Sequence, residues 1–248
     1  MMNFTNNQNL LLTIKKIIFM KKLFYFTVVA LLSLTACEKP SDPNNSSSGE
    51  GSGKANGHEY VDLGLPSGTK WATMNVGAGS PEDYGDYFAW GETLPKDVYN
   101  WSNLKWYDGN EFTKYCIDSA NGKVDNKTIL ELSDDAANAN WGGDWRMPTK
   151  EEQDELRNEC TWDRVTKNSV KGFTVTGPNG NSIFLPAAGY SSGPGLQGTD
   201  SFGFYWSRNL DSDYSVNAYC LYFGSSYVNS DDYSRDFGFS IRPVLKAK

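Results

Sequence analysis

One histidine, His58, serves the whole 248-residue chain. It lies where a polar stretch gives way to the aromatic-rich part of the sequence, so a catalytic base or a metal site built on imidazole has almost nothing to draw on. Cysteine is nearly as scarce, with Cys37, Cys116, Cys160 and Cys220. No CxxC spacing occurs among them, so no Cys-based zinc site is indicated. Basic charge is also short: 23 Lys and Arg stand against 30 Asp and Glu, a net −7. That balance argues against nucleic acid and anionic membrane surfaces as partners, since both are held by basic patches. The apolar run Leu23–Leu34 falls short of the roughly 20 residues that span a bilayer, and no repeat of solenoid or propeller period is present.

The beginning of the chain reads as an export signal. Lys15, Lys16, Lys21 and Lys22 precede Leu23–Leu34, and Leu34-Thr35-Ala36-Cys37 follows. A basic start, a short apolar core and a small-residue cleavage site have that meaning. The ending is similar to a bacterial lipobox, in which the cysteine is lipidated and becomes the new N-terminus. Residues 1–36 are therefore expected to be a signal peptide, with Cys37 lipidated and the protein an outer-membrane lipoprotein facing the cell surface or the periplasm. Met20-Lys21-Lys22 is a natural start, which would leave residues 1–19 upstream of the translated chain. Removing residues 1–36 takes away four Lys and no acid, leaving 19 basic against 30 acidic residues, a net −11. Residues 40–57 are rich in Ser, Asn, Gly and Pro without a large apolar residue, so 37–57 reads as the lipidated Cys and a flexible tether. The domain is expected over 58–248. Its three cysteines are an odd count; a Cys116–Cys160 disulfide and small buried thiols are both open.

From His58 the chain is a series of short, Gly-punctuated aromatic segments, long enough for one well-buried domain. Tyr60–Leu63 and Lys70–Met74 alternate as strands around Gly64-Leu65-Pro66-Ser67-Gly68. Asp83–Trp90 is another aromatic segment, and 100–126 has no clean period and reads as long loop. Ser133–Asn140 suits a helix of two turns. A second helix starts at Thr149, with Glu152 completing a capping box, and runs to about Asn158. Gly177-Pro178-Asn179-Gly180 marks a hairpin. Tyr205–Ser207, Tyr219–Phe223 and a buried closing strand at Gly238–Val244 complete the set. The fold class is α+β: mainly short antiparallel strands with two short helices and long loops.

Function is sought in the C-terminal segment. In Tyr219–Phe223 a period of two puts Tyr219, Leu221 and Phe223 on one face, with Cys220 and Tyr222 outward. The flanking stretches 209–217 and 224–236 are expected to be loops. They carry Asp211, Asp213, Tyr214, Asn217, Ser226, Tyr227, Asn229, Asp231, Asp232, Tyr233 and Arg235. Turn chemistry accounts for the Ser, Asn and Asp, but repeated Tyr exposes apolar area and needs another reason. Rigid aromatic area beside adaptable hydrogen bonding is the composition of a paratope. These eleven residues with Cys220 and Tyr222 are the candidate ligand contacts.

Catalysis has a weak basis. Asp134-Asp135 and Asp231-Asp232 are adjacent, so on a strand they point to opposite faces. No catalytic residue, metal site or enzymatic activity is expected, and a hydrolytic enzyme stands as the remote alternative. Calcium is the one cofactor candidate, through Asp211, Asp213, Asp231, Asp232 and Asp236; solvated loop acids are the commoner meaning of such residues. Arg146 and Arg242 read as structural forks that satisfy carbonyls or a carboxylate. Trp71, Trp90, Trp141, Trp145 and Trp206 read as core, whereas Trp101 and Trp106 fall in the irregular loop.

Five ordered blocks, Glu59–Ala72, Asp86–Glu92, Trp141–Thr149, Phe184–Gly189 and Gly238–Val244, resemble the Fibrobacter succinogenes major paralogous domain family, exported proteins abundant in gut Bacteroidota. The resemblance spans nearly all of 58–244. It implies a C-type-lectin-like fold, of the branch that includes formylglycine-generating enzymes and the variable proteins of diversity-generating retroelements. Arg146-Met147-Pro148-Thr149-Lys150-Glu151-Glu152 is similar to that branch's Arg-x-Pro-Thr-x-x-Glu signature, with Gln153 where Trp is common. The formylglycine-generating chemistry uses a pair of C-terminal cysteines, and only Cys220 lies there. The Glu-Pro-Asn, Gln-Pro-Asp and Trp-Asn-Asp motifs of calcium-dependent lectins do not occur. The resemblance thus implies an envelope-anchored, lectin-like binding or adhesion protein whose C-terminal face meets a glycan, peptide or protein surface and is open to retroelement diversification. A structural envelope protein without a small ligand is the alternative.

Overall fold

Aromatic and β-branched alternation broken by Gly and Asn favours short antiparallel strands over long helices, and the protein is built that way. The structure, a computed structural model, describes residues 51–246. The expected signal peptide, Cys37, and the tether up to residue 50 lie outside the described residues. Among the described residues there are twelve strands: β1 (Ser52–Ala55), β2 (His58–Asp62), β3 (Lys70–Ala72), β4 (Thr161–Lys167), β5 (Val170–Thr176), β6 (Ser182–Pro186), β7 (Tyr190–Ser192), β8 (Gly195–Gln197), β9 (Gly203–Leu210), β10 (Asn217–Phe223), β11 (Val228–Ser234) and β12 (Val244–Leu245). Two short helices, α1 (Ala136–Trp141) and α2 (Lys150–Glu159), precede the longer strands. The mostly antiparallel α+β class is as expected. Among the described residues no helix is long and apolar enough to cross a membrane.

The strands form four sheets, ordered β1-β2-β3-β12, β11-β10-β9, β4-β5-β6 and β7-β8. The first sheet ties the start of the domain to its end. Its β1–β2 hairpin corrects one boundary: the tether gives way by Ser52, where Lys54 pairs with Glu59 and Ala55 with His58. Asn56 and Gly57 sit at φ 46° and 85°, as a type I′ turn requires. The same device, Asn168-Ser169 at φ 46° and 69°, joins β4 to β5.

Helix α2 forms where its cap is signalled. The Thr149 hydroxyl accepts from Glu152 N–H at 3.2 Å, and Thr149 N–H donates to Glu152 Oε2 at 2.8 Å. Arg146 then grips the same carboxylate with both terminal nitrogens, at 2.7 and 2.6 Å. Buried Gln153 donates to the Tyr205 carbonyl at 2.9 Å. Arg242 is likewise structural: buried, it donates to Asn75, Ala72 and Phe184 oxygens and so ties β3 to β6.

Two large apolar clusters lie on opposite sides of β9 and β10. One gathers Trp90, Trp145, Trp206, Cys220 and Phe239; the other Trp71, Leu156, Tyr205, Leu221 and Phe223. Trp71, Trp90, Trp141, Trp145 and Trp206 are all buried, as expected for scaffold residues. His58 stacks on Trp141 with ring centroids 3.8 Å apart. The stretch 100–126 has no strand and one 3-10 turn, Trp101–Asn103, yet holds a small core of its own in Leu104, Phe112 and Cys116. Cys116, Cys160 and Cys220 are free thiols, so the Cys116–Cys160 bridge is not made.

Candidate functional site

The sheet β11-β10-β9 carries the candidate residues. Phe204 pairs with Tyr222 and Tyr222 with Asn229; Trp206 pairs with Cys220 and Cys220 with Asp231. Strand alternation puts Phe204, Trp206, Cys220, Tyr222, Asn229, Asp231 and Tyr233 on one face. Leu221 and Phe223 take the other, as expected. Half of the first face is closed: Phe239 stacks on Trp206 at 4.2 Å between centroids. The other half opens into a cavity of about 330 Å³ whose lining is entirely aromatic.

Four stretches of chain build this cavity. Strand β7 gives Tyr190; β9 and the residue two before its Phe204 give Phe204 and Phe202; β10 and β11 with their connecting turn give Tyr222, Tyr227 and Tyr233; the closing segment gives Phe237 and Phe239. The walls meet at steep angles. Tyr233 stands at 79° to Phe204 and 72° to Tyr222, and Tyr190 at 76° to Phe204 and 82° to Phe237. Phe204 and Tyr222 lie parallel, 5.7 Å apart. Offset and edge-to-face contacts of this kind hold aromatic rings in fixed orientations.

A repeated tripeptide explains how the rings reach one side. Phe202-Gly203-Phe204 and Phe237-Gly238-Phe239 each send two Phe toward the cavity, with Gly between them facing away. A Cβ on Gly203 would lie 2.2 Å from the Phe223 ring, and one on Gly238 2.6 Å from Tyr99. Both glycines leave room for an aromatic side chain of a neighbouring core. Phe202, Phe204, Phe237, Phe239 and Tyr190 were not singled out from the sequence. The doubled Phe-Gly-Phe is the signal that could have pointed to four of them.

The Tyr190 hydroxyl bonds to Gln197 Oε1 at 3.1 Å. The hydroxyls of Tyr222, Tyr227 and Tyr233 have no protein partner among the described residues. Burial, then the nearby Cys220, Tyr222, Asp231 and Tyr227, push the Tyr233 phenol up to about 12. It stays protonated at neutral pH and keeps its donor.

The sequence candidates divide. Tyr222, Tyr227 and Tyr233 line the cavity; Asn229 and Asp231 are exposed on the same face, and Ser226 is exposed in the turn beside Tyr227. Asp213 and Tyr214 lie in the β9–β10 turn, at the opposite end of the strands from Tyr227. Asn217 and Asp232 bond to each other at 2.7 Å across β10 and β11, on the Leu221 face. Three positions are corrected. Cys220 is fully buried, because Trp206 and its cluster cover the face on which outward exposure was expected. Asp211 is buried and accepts from the Asp213 and Tyr214 N–H groups, both at 2.7 Å, shaping the turn. Arg235 is buried against Trp90 and Phe112, 4.8 and 4.3 Å from their centroids, and donates to the Tyr115 and Ser215 carbonyls. Burial drives its guanidinium pKa downward, and carbonyls and ring faces replace the lost water. A fourth correction concerns 224–236: most of it is strand β11, not loop. Among the described residues no three His, Cys, Asp or Glu side chains gather as a metal site.

Residues 143–244, which include every wall of the cavity, match a family described as Domain of unknown function (DUF8237). No curated protein and no solved structure matches the chain.

Proposed function

We propose that this is a binding protein of the cell envelope, held by a lipid on Cys37, that takes its ligand in the aromatic cavity beside β10. The observation that carries it is the convergence of eight aromatic side chains on one open cavity with three tyrosine hydroxyls left unpartnered. Core aromatics are covered and their polar tips satisfied; Tyr222, Tyr227 and Tyr233 are neither fully covered nor partnered at their hydroxyls among the described residues. A concave, mostly apolar site with a few polar groups is the usual form of a small-ligand site. Asn229, Asp231 and Ser226 supply a polar margin for a glycan, peptide or protein surface. A C-type-lectin-like arrangement is supported by the short antiparallel strands, the two helices and the first sheet, which joins the earliest strands to the last. The lipoprotein assignment rests on Leu34-Thr35-Ala36-Cys37 alone.

Two experiments test the proposal. In a diderm host the chain should partition with membrane and carry acyl groups, and Cys37→Ser should end both; equal partitioning of the two would remove the anchor. In a screen of glycans and peptides, Tyr222→Ala with Tyr233→Ala should abolish each hit found with the wild type. Hits that survive in the folded double variant would place the site elsewhere.

A further inference from the structure

Resting on the proposal that the cavity is the ligand site, we infer that its ligand is an organic cation with a methylated ammonium head, the trimethylammonium class. The walls are the first reason. An aromatic ring is negative on its faces and positive at its edge. Rings set at 72–82° to one another pack edge to face, so the lining is a box of differently turned rings and not one flat stack, and a ligand inside it meets aromatic surface on several sides. Such a box favours a cation over a neutral group of the same shape.

The second reason is that no side chain of the protein already fills that role. Lys and Arg seek ring faces throughout this molecule: Lys150 lies 5.2 Å over Tyr219, on the same strand β10, and Arg235 lies 4.3 Å from the Phe112 centroid. Among the described residues ten such contacts occur, and none uses a ring of the cavity. Charge is the third. Asp231 is exposed on the cavity side of β11, close enough to act on the Tyr233 phenol, and among the described residues its carboxylate accepts one hydrogen bond, from the Asp232 N–H. The chain as a whole is acidic, at net −7.

The methylation follows from desolvation. A primary ammonium is compact and strongly hydrated, with three N–H donors to satisfy. The lining offers only phenol oxygens, so those donors would be stranded on entry. A trimethylammonium head has no N–H and presents its charge through C–H groups that pack on rings. A saccharide has the opposite difficulty, since its many hydroxyls would meet walls with few polar atoms.

The test titrates the purified full chain with choline, tetramethylammonium and 3,3-dimethylbutan-1-ol, the uncharged analogue of choline's shape, by calorimetry and ligand-observed NMR. Choline should bind at least about tenfold tighter than the uncharged analogue. Tyr233→Leu, which removes one wall of the box, should weaken it about fivefold or more. Asp231→Asn should weaken it about threefold and flatten its salt dependence. Phosphatidylcholine against phosphatidylglycerol vesicles then separates a lipid headgroup from a soluble cation as the source. Equal binding of choline and its uncharged analogue would overturn the inference, as would silence from every cation up to about 100 mM. Since the comparison is made on the wild type, a variant that fails to fold does not blur it. A neutral saccharide that binds and is lost on Tyr222→Ala, beside silent cations, would sink this inference while leaving the cavity a ligand site. Cations that bind equally well to every variant would place their site elsewhere and overturn it too.

Discussion

Strand β10 has two packed faces, and they are closed differently. On the Leu221 face a full third layer lies over the sheet: Leu156 of α2, Phe173 and Val175 of β5, and Ile183 and Leu185 of β6. Phe173 meets Phe223 at 5.1 Å, and both Leu221 and Phe223 are buried. On the Cys220 face the closing segment around Phe239, with Trp90 and Trp145 of the same cluster, covers Trp206 and Cys220 and leaves the Tyr222 end open to the cavity. Both faces carry aromatic rings. What distinguishes a core from a candidate site here is the length of the covering layer.

That contrast can be attacked from the closed side first. Phe223→Ala should cost about 3–5 kcal/mol, because the cavity it leaves is walled by rings that cannot collapse into it; chemical denaturation measures it, and a loss under about 1 kcal/mol would mean that this face is not sealed. Cys220→Ser should cost about 1–3 kcal/mol by placing a hydroxyl beside Trp206 without a partner. In the native wild type the Cys220 thiol should resist labelling until the protein unfolds, and burial raises its pKa further against reaction. Prompt labelling would restore the outward orientation that the alternation alone suggested.

The cap of α2 guards the closed side through a charge. Burial would raise the Glu152 pKa, but the Arg146 fork, the Thr149 N–H and the Thr69 hydroxyl outweigh it and hold the carboxyl below its ordinary 4.5. A depressed folded pKa contributes stability that is full above 4.5 and is lost as pH falls through the folded value. Glu152→Gln should therefore melt lower by about 1–2 kcal/mol at pH 7, with the gap to wild type narrowing in acid. A gap that stays constant from neutral pH into acid would show that the pair contributes no pH-dependent stability. Smallest is the change on the open side: Tyr227→Ala should stay within about 0.5 kcal/mol of wild type in thermal melts, since the ring is exposed and rests on Gly224. A large loss there would make the cavity part of the core.

Much of the scaffold was legible in the chain because its signals are local. Thr149 and Glu152 announce α2 within four residues, and Gly177-Pro178-Asn179-Gly180 announces the β5–β6 hairpin. The Asn56-Gly57 turn was equally readable, but the Ser- and Gly-rich composition around it suggested tether instead. Strand β11 was missed for a similar reason. Its Asn, Ser and Asp favour loops when read alone, and pairing with β10 at seven consecutive positions overrides that preference. Arg235 and Asp211 looked like surface residues because a charge is assumed to seek water; each is buried where backbone groups take water's place.

By itself the sequence determined the alternation of β10, the capping of α2, the hairpin turns and the placement of Trp71, Trp90, Trp141, Trp145 and Trp206 in the core. These depend on period, on backbone conformation and on the burial of large rings, all of which act within a few residues or on any compact arrangement. Only the tertiary structure decided which face of β10 is covered along its whole length. It also brought Tyr190, Phe204, Tyr222, Tyr233 and Phe237 from four separate stretches to one cavity. Closure of a face depends on where β5, α2 and the 237–241 segment cross the sheet, and crossings between residues far apart in sequence leave no period for a single chain to display.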